Sequence, residues 1–178
     1  MYAKILVTLD GSEFALDALA EVARLAGPES TVELVEVVDS VGQIVARTTS
    51  TGLGFDGADA GLATADQAIA AQRDAAYEEL RAVAARLATT GVALVNCNVL
   101  EGQAGPAIVE FAESAGVDVV VIATHGRSGM VRAVFGSVSD YVARHARPPV
   151  MLVSPAAGPL PDETGEHVRE EAPDEVTS

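Results

Sequence analysis

The sequence predicts an α/β domain built on an open parallel sheet with helices on both faces. Three observations predict it. Short β-branched, apolar segments alternate with longer segments that carry one apolar face at helical spacing, which implies right-handed strand–helix–strand crossovers. The segment Val117-Asp118-Val119-Val120-Val121-Ile122-Ala123 is apolar almost throughout, as a central strand buried on both sides must be. A chain of 178 residues, 49% hydrophobic, suits one domain with a sizeable core.

Each element follows in order. Residues 3–9 (AKILVTL) read as the first strand, and 12–26 as a helix whose apolar face is Leu16, Leu19, Ala20, Ala23 and Ala26. A second strand is expected over 32–38 (VELVEVV). Residues 42–64, rich in Gly, Ala, Ser and Thr and without apolar periodicity, read as a long mobile connection. A helix over 65–88 presents Ile69, Ala76, Leu80, Val83 and Leu87, and a strand over 92–100 (VALVNCNVL) follows. Pro106 suits the first turn of a helix carrying Ile108, Phe111 and Ala112, which leads to the strand over 117–123. A last helix over about 137–146 runs through Val138, Tyr141 and Val142, and 149–153 (PVMLV) closes as the fifth strand. Residues 155–178 hold four prolines and, from Asp162, seven acids against one Arg, which reads as an acidic disordered tail. The folded domain is therefore expected over 1–154.

Composition narrows the function. A net charge of −15 opposes non-specific binding to nucleic acid or anionic lipid, so neither is an expected partner, and any phosphate ligand needs a local exception. The opening MYAKILVTLDGSE lacks a basic segment before an apolar run, and no apolar run approaches the length of about 18 residues that a membrane helix needs. A cytoplasmic location is expected. Cys97 is the single cysteine, which excludes an internal disulfide, and its mid-strand setting reads as a packed thiol.

Ligands of open α/β sheets bind outside the carboxyl ends of the strands, where the winding direction reverses. The loops after the first and fourth strands are the candidates: Leu9-Asp10-Gly11-Ser12-Glu13, and Thr124-His125-Gly126-Arg127-Ser128-Gly129 with Gly136-Ser137 opening a helix beyond. Glycines let backbone N–H groups approach phosphate, and a helix N-terminus adds unpaired donors and a positive dipole end. The stretch 119–139 holds Arg127 and Arg132 and no acid, in a chain where acids outnumber bases 26 to 11. The local exception exists here, although two arginines among glycines also describe an ordinary solvated loop.

Several other nucleotide and hydrolase motifs are excluded. A Walker A loop needs a lysine after its glycines, and the only lysine is Lys4. Neither GxGxxG after the first strand nor the nucleophile elbow GxSxG is present, and His125, His145 and His167 are too far apart for a local metal motif.

These residues resemble the ATP-binding universal stress proteins, known by G-x2-G-x9-G-[ST] after the fourth strand and an aspartate in V-x-x-D-G-S after the first. The chain reads Ala123-Thr124-His125-Gly126, nine residues, then Gly136-Ser137, preceded by Val7-Thr8-Leu9-Asp10-Gly11-Ser12. Ala123 stands at the first glycine, and Thr8 where proline is common. The resemblance covers about residues 1–154 and implies a five-stranded parallel sheet in the order 3-2-1-4-5, an adenine nucleotide alpha hydrolase-like fold. It further implies that Asp10 and Val37 touch the adenine and ribose end, that Thr8, Ile122 and Ala123 line the base and sugar pocket, and that Gly126, Gly136, Ser137 and Val138 hold the phosphates. Structural roles stand beside these. Asp10 with Glu13 reads also as a capping pair for the first helix, Ser137 as a cap for the last, Val37 as core and His125 as a hydrogen-bonded loop residue.

The function this implies is adenine-nucleotide binding, with ATP and Mg²⁺ as ligand and a homodimer formed through the last strand, in a stress-response regulator. AMP and cyclic AMP remain open as ligands. A dimeric interaction module without nucleotide and a slow ATPase are the alternatives; for turnover the only base on the loop is His125.

Overall fold

The structure of the protein, a computed structural model, describes residues 2–11, 15–50, 58–123 and 136–153. Five strands, β1 (Tyr2–Leu9), β2 (Ala26–Val38), β3 (Leu94–Glu101), β4 (Val119–Ala123) and β5 (Val150–Val153), form one sheet in the order β3-β2-β1-β4-β5. Every pairing is parallel, as expected. The helices are α1 (Ala15–Leu25), α2 (Val41–Ser50), α3 (Ala58–Ala88), α4 (Ala104–Ala115) and α5 (Ser137–His145).

Alternation along the strands divides the core in two. On one face Ile5, Val7 and Leu9 of β1, with Val32, Leu34, Val119 and Val121, pack against Leu19 and Val22 of α1 and Leu80, Val83 and Leu87 of α3. On the other, Leu6, Val35, Val120 and Ile122 meet Ile108 and Ala112 of α4 and Val142 of α5. Each fully buried side chain of this kind stabilises the fold by about 1.5–3 kcal/mol, so the two faces supply the main driving force. Cys97 lies half-buried against the first face, where burial pushes its thiol up and Arg81 pulls the other way.

The amino ends of the central strands are tied by Asp118. Its Oδ2 accepts from the Ala3 and Lys4 amides at 2.8 Å each, and its own N–H donates to the Lys4 carbonyl. The Lys4 ammonium caps the end of α4 through the Ala115 carbonyl, at 2.8 Å. The chain's only lysine is thus committed at the opposite end of the sheet from the strand carboxyl ends.

Two expectations need correction. Residues 41–50 and 58–64 are helical, not part of a long connection. Alanine favours helix over 58–64 without any apolar stripe, and before 41–50 Ser40 with Gln43 makes a capping box: Ser40 N–H donates to Gln43 Oε1 at 2.8 Å, while Gln43 N–H reaches Ser40 Oγ at 3.4 Å. Next, Ala26 opens β2 instead of closing the first helix, and β2 begins six residues before the expected Val32. Pairing runs from Tyr2↔Ala26 to Lys4↔Thr31, two residues of β1 against five of β2, and Ser30 bridges the irregularity by donating to the Tyr2 carbonyl and accepting from the Gly27 amide. As expected, Pro106 lies within the first turn of α4, which starts at Ala104, where no intrahelical N–H partner is needed. Residues 12–14 and the acidic-tail segment 155–178 lie outside the described residues. Among the described residues no helix is long and apolar enough to cross a membrane.

Helices α4 and α5 pack together, with Gly105 of α4 against Tyr141 of α5. A Cβ there would meet Tyr141 Cδ1 at 2.7 Å, Cγ at 2.8 Å and Cβ at 3.1 Å. Tyr141 cannot swing away freely, because its ring stacks on His145 with centroids 4.1 Å apart and the His145 Nδ1–H donates to the Tyr141 carbonyl at 2.8 Å. Gly105→Ala should therefore destabilise the protein by roughly 1–3 kcal/mol, read as a lower urea midpoint at unchanged slope. A parent-like midpoint would show that the two helices separate without cost.

Candidate functional site

A cleft of about 680 Å³ opens at the carboxyl ends of β1, β2 and β4. Its place follows from topology: β2 leaves β1 on one side and β4 on the other, so the crossovers that follow diverge to opposite faces and leave a gap between them. The volume lies in the range of small-molecule sites.

β1 supplies Thr8, Leu9 and Asp10; β4 supplies Ile122 and Ala123. Thr8 pairs in register with Val35 on one side and Ile122 on the other, and both Thr8 and Ile122 are buried as the floor. Asp10 stands exposed at the rim, immediately before Gly11, whose φ of 70° turns the chain away in a conformation that favours glycine. Its suggested capping partner Glu13 lies outside the described residues. β2 and its extension contribute Glu36, Val37, Val38 and Asp39. Val37 is half-buried, touching both the cleft and the core beneath α4.

The amino end of α5 forms a further wall with Gly136, Ser137, Val138 and Ser139. Gly136 is the N-cap, so Ser137 occupies the first helical position and is not the cap that its residue type suggested. The first intrahelical bond runs from Asp140 N–H to the Gly136 carbonyl at 2.9 Å, which leaves the amides of Ser137, Val138 and Ser139 without intrahelical acceptors. Buried Ser139, which the sequence did not single out, donates from Oγ to the same carbonyl at 2.9 Å and fixes the turn. Asp140 is drawn aside by a bidentate bond with Arg144, which holds its carboxyl below the usual range.

Eight of the nine residues expected at a site line this one cleft: Thr8, Asp10, Val37, Ile122, Ala123, Gly136, Ser137 and Val138. Gly126, with His125, Arg127 and Arg132, lies outside the described residues. The sequence reading missed the wall made by α3, where Gln72, Ala75, Ala76 and Glu79 face the cleft. Their i, i+3, i+4, i+7 spacing signals one helix face, but nothing in the residue types marks that face as a site. Ala104 and Ile108 of α4 complete the lining.

The cleft is chemically polarised. Backbone donors and a helix dipole's positive end lie at α5, whereas Asp10, Glu36, Asp39 and Glu79 line the β1, β2 and α3 side. An anionic group suits the first end. A group rich in hydrogen-bond donors suits the second.

Comparison with known proteins agrees with the fold. The model of the "Universal stress protein family" matches residues 1–154. A universal stress protein of Methanocaldococcus jannaschii is 30% identical over 154 residues, covering 86% of this chain and 82% of the relative. Among solved structures, a member of the universal stress protein family from Burkholderia pseudomallei is 26% identical with a TM-score of 0.61, covering 87% of this chain and 97% of that one. A universal stress protein family protein from Arabidopsis thaliana with AMP bound is 16% identical, with a TM-score of 0.55 and coverage of 90% and 97%.

Gly136 offers a variant that leaves the scaffold intact. Its φ of −59° suits any residue, and a Cβ would meet nothing closer than Ser139 Oγ at 3.6 Å. Aspartate is a favoured N-cap, so Gly136→Asp should leave the melting temperature unchanged or raise stability by a few tenths of a kcal/mol. Thermal unfolding followed by circular dichroism checks this; a marked loss would show that the turn rejects any side chain.

Proposed function

The chain belongs to the universal stress protein family, and from that premise we propose that the cleft binds an adenine nucleotide, ATP with Mg²⁺, and that the protein acts as a cytoplasmic, homodimeric regulator whose conformation or partner choice the nucleotide sets. One observation carries the reading: the residues at the start of α5, behind Gly136, whose amides have no intrahelical acceptor, line a cleft at the strand switch point. Phosphate oxygens accept from such amides, while Thr8, Ile122 and Ala123 provide a half-apolar floor for sugar and base. The Arabidopsis relative with AMP bound shares this fold. Among the described residues no three metal-binding side chains cluster, so Mg²⁺ would be carried mainly by the phosphates.

Binding is the favoured role, and turnover would need groups that stabilise transition-state charge and move a proton, for which the sequence offers Arg127, Arg132 and His125 on the segment outside the described residues. Ala123, half-buried, lines the cleft at the end of β4.

Calorimetry should give one site per chain for ATP with Mg²⁺, and a hundredfold excess over Kd should stabilise the fold by about 2.7 kcal/mol. Absence of both heat and thermal shift with ATP, ADP, AMP and cyclic AMP at millimolar concentration would overturn the proposal. Gly136→Asp tests the phosphate end directly. Two unit charges about 4 Å apart repel by about 4 kcal/mol at an effective dielectric of 20, and half of that after screening weakens binding more than tenfold. Unchanged ATP affinity in the folded variant would remove the phosphate site from α5.

The dimer rests on β5. It is a sheet edge whose Val150, Met151 and Leu152 are only half-buried, and an apolar edge left open invites uncontrolled pairing. Light scattering should return twice the chain mass at micromolar concentration, and a charged Met151→Lys edge should return the single-chain mass. A parent of single-chain mass at high micromolar concentration would refute the dimer.

A further inference from the structure

The cleft crosses the top of the sheet from one face to the other. α5 belongs with α4 on the face of Leu6 and Val35, whereas α3 belongs with α1 on the face of Ile5 and Leu34. A ligand whose phosphate sits at α5 therefore extends its other half toward α3. On that face of α3, exposed Gln72 and Glu79 flank exposed Ala75 and buried Ala76. The neighbouring arginines are engaged elsewhere: Arg73 pairs with Glu101 at 3.0 Å, and Arg81 with Glu78 at 2.9 Å. Gln72 and Glu79 make no hydrogen bond or ion pair among the described residues.

Resting on the nucleotide reading above, we propose that this face of α3 is the specificity wall for the nucleoside half of the ligand. The alanines leave room for a flat ring or sugar beside the helix, and Glu79, acceptor-only when ionised, takes a hydrogen bond from a nucleoside donor. Two groups carry that chemistry, the ribose hydroxyls and the exocyclic amine of the base. Phosphate is excluded from this end by the same carboxylate.

The test uses the full chain and three ligands of different phosphate number: adenosine, AMP and ATP with Mg²⁺. Glu79→Gln exchanges a charged acceptor for a neutral one and should weaken all three by a common factor of about ten. Ala75→Leu, at an exposed helical position where leucine keeps the helix, should weaken all three at least tenfold with an unchanged melting temperature. Repeating Glu79→Gln with inosine monophosphate and with 2′- and 3′-deoxy-AMP assigns the donor, because the variant's effect vanishes with whichever ligand lacks it. Unchanged affinities in both variants, or a gain in Glu79→Gln that grows with phosphate number, would overturn the wall. If the parent binds no nucleotide at all, the nucleotide reading itself falls and takes this inference with it.

Discussion

β1 is hydrogen-bonded to β2 along one edge and to β4 along the other, and both of its faces are buried from Ile5 to Leu9. That double constraint sets the register of everything else. A shift of one residue would exchange Leu6 for Ile5 and Val7 between the two cores and would move Thr8 off the cleft floor. Asp118 pins the amino end of this strand through two main-chain amides, so slippage would also strand a carboxylate without its donors. The carboxyl end is then free to differ: Gly11 turns the chain at once, and Asp10 is held where strands diverge.

Among the described residues of the sheet, one acidic side chain is buried within the packed faces. Glu33 is only 7% exposed, and its register partner Leu6 places it on the α4 side of the sheet. Burying a carboxylate is costly, and the cost is offset by Asn96 and Asn98 of the neighbouring β3, each donating from Nδ2 at 2.9 Å to a different carboxylate oxygen. Spacing of two along β3 brings both amides to one face, so the bonds are satisfied only in the observed β2–β3 register. The polar trio thus fixes the pairing of an edge strand that packing alone holds weakly, since Leu94 at its start is 54% exposed.

Much of this was legible in the sequence where periodicity spoke. The apolar positions Ile69, Ala76, Leu80, Val83 and Leu87 are all buried, and the switch-point rule points to the carboxyl ends of β1 and β4, where the cleft lies. Helix α2 was missed because Gly, Ser and β-branched residues make up seven of the ten residues of Val41–Ser50, although the Ser40–Gln43 capping box announced it. Helix caps were misassigned by one residue: serine is the better capper by type, yet Gly136 takes the cap and Ser137 the first turn. The α3 wall was illegible for a different reason. Gln72 and Glu79 have the composition of a solvated helix face, and only the three-dimensional packing of α3 on β2 and β3 turns that face toward a cleft.

The cleft and the sheet edge are also neighbours in the chain. From α5 only residues 146–149 lead to β5, and the Pro149 carbonyl already accepts from Val120 N–H of β4 at 2.9 Å. Ala123 on the cleft floor pairs with Val153 at the far end of β5. Under the proposed reading, a ligand that draws the start of α5 inward meets resistance from α4, because the Gly105–Tyr141 contact leaves no space for closer approach. Under the same reading, phosphate bound by the Ser137, Val138 and Ser139 amides would couple to β5 through α5, because those donors belong to the helix that the short connection joins to the edge strand, and a ligand shifts an equilibrium between two arrangements only by the difference in its affinity for them.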